Sequence, residues 1–151
     1  MSIKVTILGS GTSTGVPELG CGCEVCRSTD PRDARLRSSA LIESSNSRLL
    51  IDCGPDFRTQ MLHRPFQKID AVLLTHKHYD HTGGLDDLRP FCRKGDIPVY
   101  ADGHTVEHVK SVLPYCFSEV KYPGIPNLML HKIEEGKRFT IGDFDIEPIR
   151  V

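Results

Sequence analysis

Four metal-capable side chains arrive within six residues in the stretch Thr75-His76-Lys77-His78-Tyr79-Asp80-His81-Thr82-Gly83-Gly84-Leu85. The apolar run ahead of it, Ile69-Asp70-Ala71-Val72-Leu73-Leu74, reads as a buried strand. His76 and His78 are two apart, so on an extended strand end they point the same way. Asp80 and His81 come where the chain turns and can face a second point nearby. Imidazole suits zinc, iron or manganese, and carboxylate suits harder divalent ions. A single ion would use part of this set; two adjacent ions would use all of it. Gly83-Gly84 lets the backbone turn tightly before Leu85-Asp86-Asp87-Leu88 begins a short helix. The competing reading is a polar surface loop rich in histidine. The strand before the cluster and the Gly-Gly turn after it weigh against that.

The chain has 151 residues, enough for one domain with a core, and a formal net charge of -1. Nothing in that balance asks for nucleic acid, though a local basic patch stays open. No apolar run approaches the length of a membrane span. Met1-Ser2-Ile3-Lys4-Val5 leads directly into a strand pattern, so no signal peptide is expected. Six cysteines, three of them crowded together, fit reduced thiols and a cytoplasmic location.

Lys4-Val5-Thr6-Ile7-Leu8-Gly9 reads as the first strand. The Gly9-Ser10-Gly11-Thr12-Ser13-Thr14-Gly15 loop fails as a P-loop, because no Gly-Lys-Ser/Thr follows. It fails as a dinucleotide fingerprint, because Val16-Pro17 stands where a helix should open. A tight turn is expected instead. Cys21-Gly22-Cys23-Glu24-Val25-Cys26 places thiolates at spacings of two and three, able to wrap one zinc ion. Structural zinc wants four ligands, so a fourth, a histidine, is expected from elsewhere. Three unrelated reduced cysteines are the alternative. A redox Cys-x-x-Cys is disfavoured because the loop does not start a helix in a βαβ pattern.

The segment 29–37, with Arg32, Arg35 and Arg37, reads as a solvated connector that could also face an anion. Ser39 to Glu43 and Arg48 to Asp52 read as antiparallel strands around the turn Ser44-Ser45-Asn46-Ser47. Asp52 could cap a helix beginning near Pro55. Phe57, Met61 and Leu62 fit that helix's apolar side, with His63 at the surface. Ile97 to Ala101 reads as a strand. Asp102 or Gly103 opens a helix to about Leu113, with Val106, Val109, Val112 and Leu113 on one face. His104 and His108 on it lack an evident acidic partner and are expected in solvent. Met129 to Ile133, Arg138 to Ile141 and Phe144 to Ile149 read as strands, with His131 on an exposed face.

The H-x-H-x-D-H pattern over His76, His78, Asp80 and His81 resembles the metallo-β-lactamase-fold hydrolases. Gly11 to Pro17, the cysteine cluster and Gly84-Leu85-Asp86-Asp87-Leu88-Arg89-Pro90 are similar to a narrower group, the PhnP-like cyclic phosphodiesterases of phosphonate metabolism. The resemblance covers essentially the whole chain. It implies an α/β architecture, an αβ/βα sandwich of two similar halves. Residues 1–151 would be the N-terminal part of a single domain, roughly its first half. It also implies two divalent ions, Zn or Mn, about 3.5–4 Å apart and holding a bridging water. His76 and His78 would hold one, and Asp80 and His81 the other. Asp80 would also orient the nucleophile, a metal-derived hydroxide. Asp52 would hydrogen-bond into the histidine loop and orient the ligands. Cys21, Cys23 and Cys26 would hold a structural Zn with a distant histidine. The loop from Gly9 to Gly15 would lie beside the metal site.

The implied substrate is a small cyclic phosphodiester, 5-phosphoribosyl 1,2-cyclic phosphate in the narrower group. No membrane or nucleic-acid partner is implied, and a homodimer is allowed. Two alternatives stay open. One is a tRNA 3′-processing endonuclease, which Leu50-Ile51-Asp52-Cys53-Gly54 also resembles but for which no RNA-binding insertion is evident. The other is a non-enzymatic zinc protein. The third metal histidine, a bridging carboxylate and the histidine completing the cysteine site are expected past residue 151. The chain alone is therefore expected to bind catalytic metal weakly, show little turnover and expose an apolar sheet face.

Overall fold

The computed structural model describes residues 2–120 and 122–150; Met1 and Val151, which the sequence reading also covers, lie outside the described residues. Among the described residues, eight strands and four α-helices follow one another. Strand β1 (Lys4–Gly9) pairs antiparallel with β2 (Ser39–Glu43), and β2 with β3 (Arg48–Ile51). From β3 the sheet turns parallel through β4 (Ala71–Leu73), β5 (Ile97–Ala101) and β6 (Leu128–Lys132). Strand order in space equals strand order in sequence, giving a six-stranded sheet. Strands β7 (Phe139–Ile141) and β8 (Phe144–Ile146) form a separate antiparallel hairpin.

Parallel neighbours need crossovers, and here the crossovers carry the helices. Helix α2 (Phe57–Met61) lies between β3 and β4. Helix α3 (Tyr79–Thr82) and a 3-10 turn at Leu85–Leu88 lie between β4 and β5. Helix α4 (Gly103–Val112) lies between β5 and β6. The pleat sorts side chains by parity. Leu41, Leu50, Val72 and Val99 stand side by side in register and pack in one core with Phe57, Leu85, Leu88, Val106 and Val109. Fully burying each of these contributes about 1.5–3 kcal/mol. The opposite parity, Leu49 and Ala71, packs on Ile141 and Phe144 of the hairpin.

That second face is covered unevenly. Ile3, Val5 and Ile7, at and before β1, are 55%, 58% and 61% exposed. Val5 stands opposite Ile42 and Ile7 opposite Ala40, so the apolar face continues from the hairpin side to an open edge.

Several elements differ from what periodicity suggests. Leu62 and Val112 are exposed rather than core. Both follow the last buried turn of a short helix, where the apolar stripe has rotated off the sheet. β8 stops at Ile146 rather than Ile149; beyond it, Pro148 has no amide to donate, and its carbonyl accepts from the Gly136 amide at 2.9 Å. Asp102, not Gly103, caps α4, its carboxylate accepting from the His104 and Thr105 amides at 2.7 and 3.1 Å. Among the described residues no helix is long and apolar enough to cross a membrane.

Candidate metal centre

In open parallel sheets, ligand sites form beyond the carboxyl ends of the strands. Here β3 ends into Asp52 and β4 into Thr75 and the histidine loop. The two connections are stitched together. The Cys53 amide donates to the His81 carbonyl at 2.8 Å, and the Gly84 amide to the Cys53 carbonyl at 2.8 Å. The backbones approach so closely that a side chain has no room: a Cβ on Gly54 would run into the Asp80 carbonyl, and one on Gly84 into that of Gly54. Glycine is required at both positions by contact.

Within this frame the polar atoms form one network. Asp52 is 4% exposed and has φ +57, a left-handed conformation that aspartate tolerates. That conformation turns its carboxylate back over the loop. Its Oδ1 accepts from the Thr75 amide at 2.8 Å, and its Oδ2 lies 2.8 Å from the Thr75 hydroxyl and 2.7 Å from His81 Nδ1. Asp52 does not cap α2, as its position before Pro55 allowed. The N-cap position belongs to Asp56, and Asp52's lone pairs are taken by Thr75 and His81.

The network fixes the imidazole tautomers. A carboxylate only accepts, so the Thr75 hydroxyl donates to Asp52, and His81 carries its proton on Nδ1. The Thr75 oxygen then has lone pairs free to accept from His76 Nδ1, 3.0 Å away. His76 and His81 therefore both offer Nε2. Burial, with His81 and His78 beside it, holds His76 below the ordinary histidine range, which favours the neutral, ligating form. Thr75 has no metal-ligating chemistry, so the sequence reading passed over it; its place immediately before His76 was the available signal.

The ligand atoms gather in twos. His76 Nε2 faces His78 Nδ1 at 3.1 Å, and His81 Nε2 faces Asp80 Oδ2 at 3.2 Å. Two ligands at 2.0–2.1 Å from a tetrahedral zinc are about 3.3 Å apart, so both spacings fit a shared ion. The His76 and His81 rings lie 4.1 Å apart by centroid, which makes the two pairs neighbours. The donor set, three imidazoles and a carboxylate, fits zinc or manganese. His63, His104 and His131 are exposed on other segments. A groove of about 760 Å³ lies along α2 and the 3-10 turn, lined by Phe57, Met61, Phe66, Asp86 and Phe91 among others. None of the four ligand candidates lines it, so the donor chemistry rather than the concavity places the site.

Among the described residues, Cys21, Cys23 and Cys26 form the group of three whose ligand atoms all lie within 4.8 Å of one another. None of the six cysteines is in a disulfide. The cluster opens only a four-residue helix, α1 (Glu24–Arg27), with Cys23 as its N-cap. The strand that follows it, β2, runs antiparallel to β1, so no βαβ unit forms. The Cys26 amide donates to Cys23 Sγ and the Glu18 amide to Cys26 Sγ, each at 3.4 Å. The Cys26 amide, followed by the Cys21 and Cys26 side chains, holds the Cys23 thiol below its ordinary range. Soft thiolates so placed fit a zinc ion. No histidine among the described residues joins them. Cys53 is unlike these three: burial pushes its thiol well up, which leaves it inert packing.

Fold and donor set together define an α/β protein with a candidate metal site at the carboxyl ends of its strands. The chain belongs to the beta-lactamase superfamily domain family, whose model matches residues 47–151. Among solved structures it is similar to a diphosphatase of the PhnP family, 40% identical with a TM-score of 0.82 over 93% of this chain and 54% of that one. It is also similar to Zn²⁺-bound PqqB from Methylobacterium extorquens, 26% identical with a TM-score of 0.76 over 97% of this chain and 55% of that one. An octanoyltransferase of Porphyromonas gingivalis is 47% identical over 150 residues, 99% of this chain but 30% of that protein. The chain thus spans about half the length of the solved relatives and under a third of the curated one. The metallo-β-lactamase fold and closeness to the PhnP group expected from the motifs are both found.

Proposed function

We propose that this chain forms the first half of a metal-dependent phosphodiesterase domain acting on small phosphate esters, cyclic ones included. The observation that carries the reading is the pairing of ligand atoms, His76 with His78 and Asp80 with His81, around tautomers set by Asp52 and Thr75. Two divalent ions held there would supply a water of lowered pKa and positive charge opposite the phosphoryl oxygens. The chain's own residues do the rest. Asp52 and Thr75 keep the Nε2 atoms of His76 and His81 free of protons. The Asp80 oxygen not turned to His81 would accept a proton from an attacking water. Exposed hydroxyls of Ser10, Thr12, Ser13 and Thr14 offer donors to a phosphate. The diphosphatase neighbour cleaves at phosphorus as well, which supports phosphorus rather than a lactam carbonyl as the electrophile. The remaining metal ligands come, in this reading, from the part of the domain outside this sequence.

The test is a metal count followed by assays of the whole protein on a ribose cyclic phosphate, a diphosphate ester and a tRNA precursor. Turnover of the small esters is expected. Cleavage of the tRNA precursor alone would replace the reading with an endonuclease. No turnover with metal bound would sink the enzymatic reading altogether.

Cys21, Cys23 and Cys26 are proposed to hold one structural zinc. A metal that closes a loop stabilises the folded state, because the unfolded chain has no preformed site. Cys23→Ser is expected to lower zinc content by one ion per chain and the melting temperature together, by about 2–4 °C for each kcal/mol lost in a chain of this size. Unchanged zinc and unchanged melting would make the three thiols incidental.

A further inference from the structure

Arg37 joins two segments that the site needs. The turn after β1 is anchored at its feet by backbone bonds: the Gly11 amide to the Leu36 carbonyl, and Val16 and Arg35 to each other, all at 2.8 Å. Its crown, which carries Thr12, Ser13 and Thr14, closes on itself through the Gly15 amide and the Thr12 carbonyl at 3.0 Å. Beyond that, the Ser13 carbonyl accepts from Arg37 Nε at 2.8 Å. The same guanidinium donates through Nη1 to Asp56 Oδ1 at 2.8 Å, and the Arg37 backbone amide donates to Asp56 Oδ2 at 2.8 Å.

Asp56 is itself unusual. It holds the N-cap position of α2, where an aspartate ordinarily bonds the helix's own first amides, yet its side chain makes no cap bond. Both its oxygens are committed to Arg37 instead. The pair is largely shielded, with side chains 30% and 18% exposed, so it is not a loose surface contact. Asp56 follows Gly54 by two residues, and Gly54 is packed against the Asp80 carbonyl. A continuous path runs from Ser13 through Arg37 and Asp56 to the backbone that carries Asp80.

We propose that Arg37 is a positioning residue, which with Asp56 fixes the crown of the Ser/Thr turn relative to the histidine loop and so sets how tightly a phosphoryl substrate is held. The role rests on the phosphodiesterase reading above. It is separable from general stabilisation, because the guanidinium's planar fork serves Ser13 and Asp56 at once and a lysine ammonium does not. Arg37→Lys keeps the charge facing Asp56 and loses the hold on Ser13.

Two measurements test this on the Arg37→Lys variant of the whole protein. Amide hydrogen exchange in the turn at 12–15 is expected to quicken about tenfold, while amides of β3 and β4 keep their rates. With a chromogenic phosphodiester as probe, KM is expected to rise about tenfold with kcat within about twofold of the parent. Asp56→Asn, which leaves Arg37 its bond to Ser13, is expected to give a smaller rise in KM. An unchanged KM, or a fall in kcat that matches the whole loss, overturns the proposal. Unchanged exchange in the turn overturns it as well. If the parent protein does not turn over the probe, the phosphodiesterase reading falls and the substrate role with it; exchange still decides whether Arg37 holds the turn.

Discussion

Replacing His78 by alanine is expected to remove nearly all turnover and to leave the fold intact. The two halves of that expectation rest on different observations. His78 is exposed, belongs to neither hydrophobic cluster, and its side chain does not cap α3, so its removal opens no cavity. Its Nδ1 nevertheless stands 3.1 Å from His76 Nε2, and without it that pair offers a single ligand. A closed four-ligand zinc site is worth roughly 10–16 kcal/mol, or about 2.5–4 kcal/mol per ligand. That is on the order of 10²–10³ in affinity at about 1.4 kcal/mol per tenfold. Metal titration and a phosphodiester assay on the variant, beside a thermal melt, measure both halves. A parental rate with parental metal content would show that His78 is not a ligand.

The histidine loop was legible in the sequence because its ligands are local. Four donors within six residues after an apolar strand need no long-range contact to be recognised. The strands as local segments and the tight turn after β1 were legible for the same reason, but not which strands run parallel. What escaped is what tertiary contact decides. Asp52 had two roles open to it, helix cap or support for the histidines, and only the pairing of β3 with β4 brings it 2.8 Å from the Thr75 amide. Arg37 read as part of a solvated run, yet its partner Asp56 is nineteen residues away, at a spacing no periodicity marks. Leu62 and Val112 continue an apolar pattern past the point where the sheet lies beneath their helices. The 61% exposure of Ile7 follows from β1 being an edge strand whose outer neighbourhood the hairpin does not reach.

Asp52→Asn is expected to lower metal affinity about 10–100-fold, the range seen when a residue that orients a ligand is lost. The substitution isolates the chemistry from the backbone. Asparagine tolerates the φ of +57 as well as aspartate does, so no strain is added at this position. It also nearly matches the volume. What changes is that one acceptor becomes an NH₂ donor. The carboxylate now accepts from the Thr75 amide, the Thr75 hydroxyl and His81 Nδ1. An amide nitrogen turned toward His81 would meet an N–H, and one turned toward Thr75 would meet the backbone N–H. Either way a buried donor loses its partner, at a cost of about 1–3 kcal/mol in stability. The inexpensive escape is for His81 to move its proton to Nε2 and accept from the amide. That places a proton on the atom that faces Asp80 at 3.2 Å and is needed for the ion. Nitrogen NMR of His81 reads the tautomer directly, and metal titration reads its consequence. Retention of the Nδ1 proton together with parental metal affinity would show that Asp52 does not govern the loop.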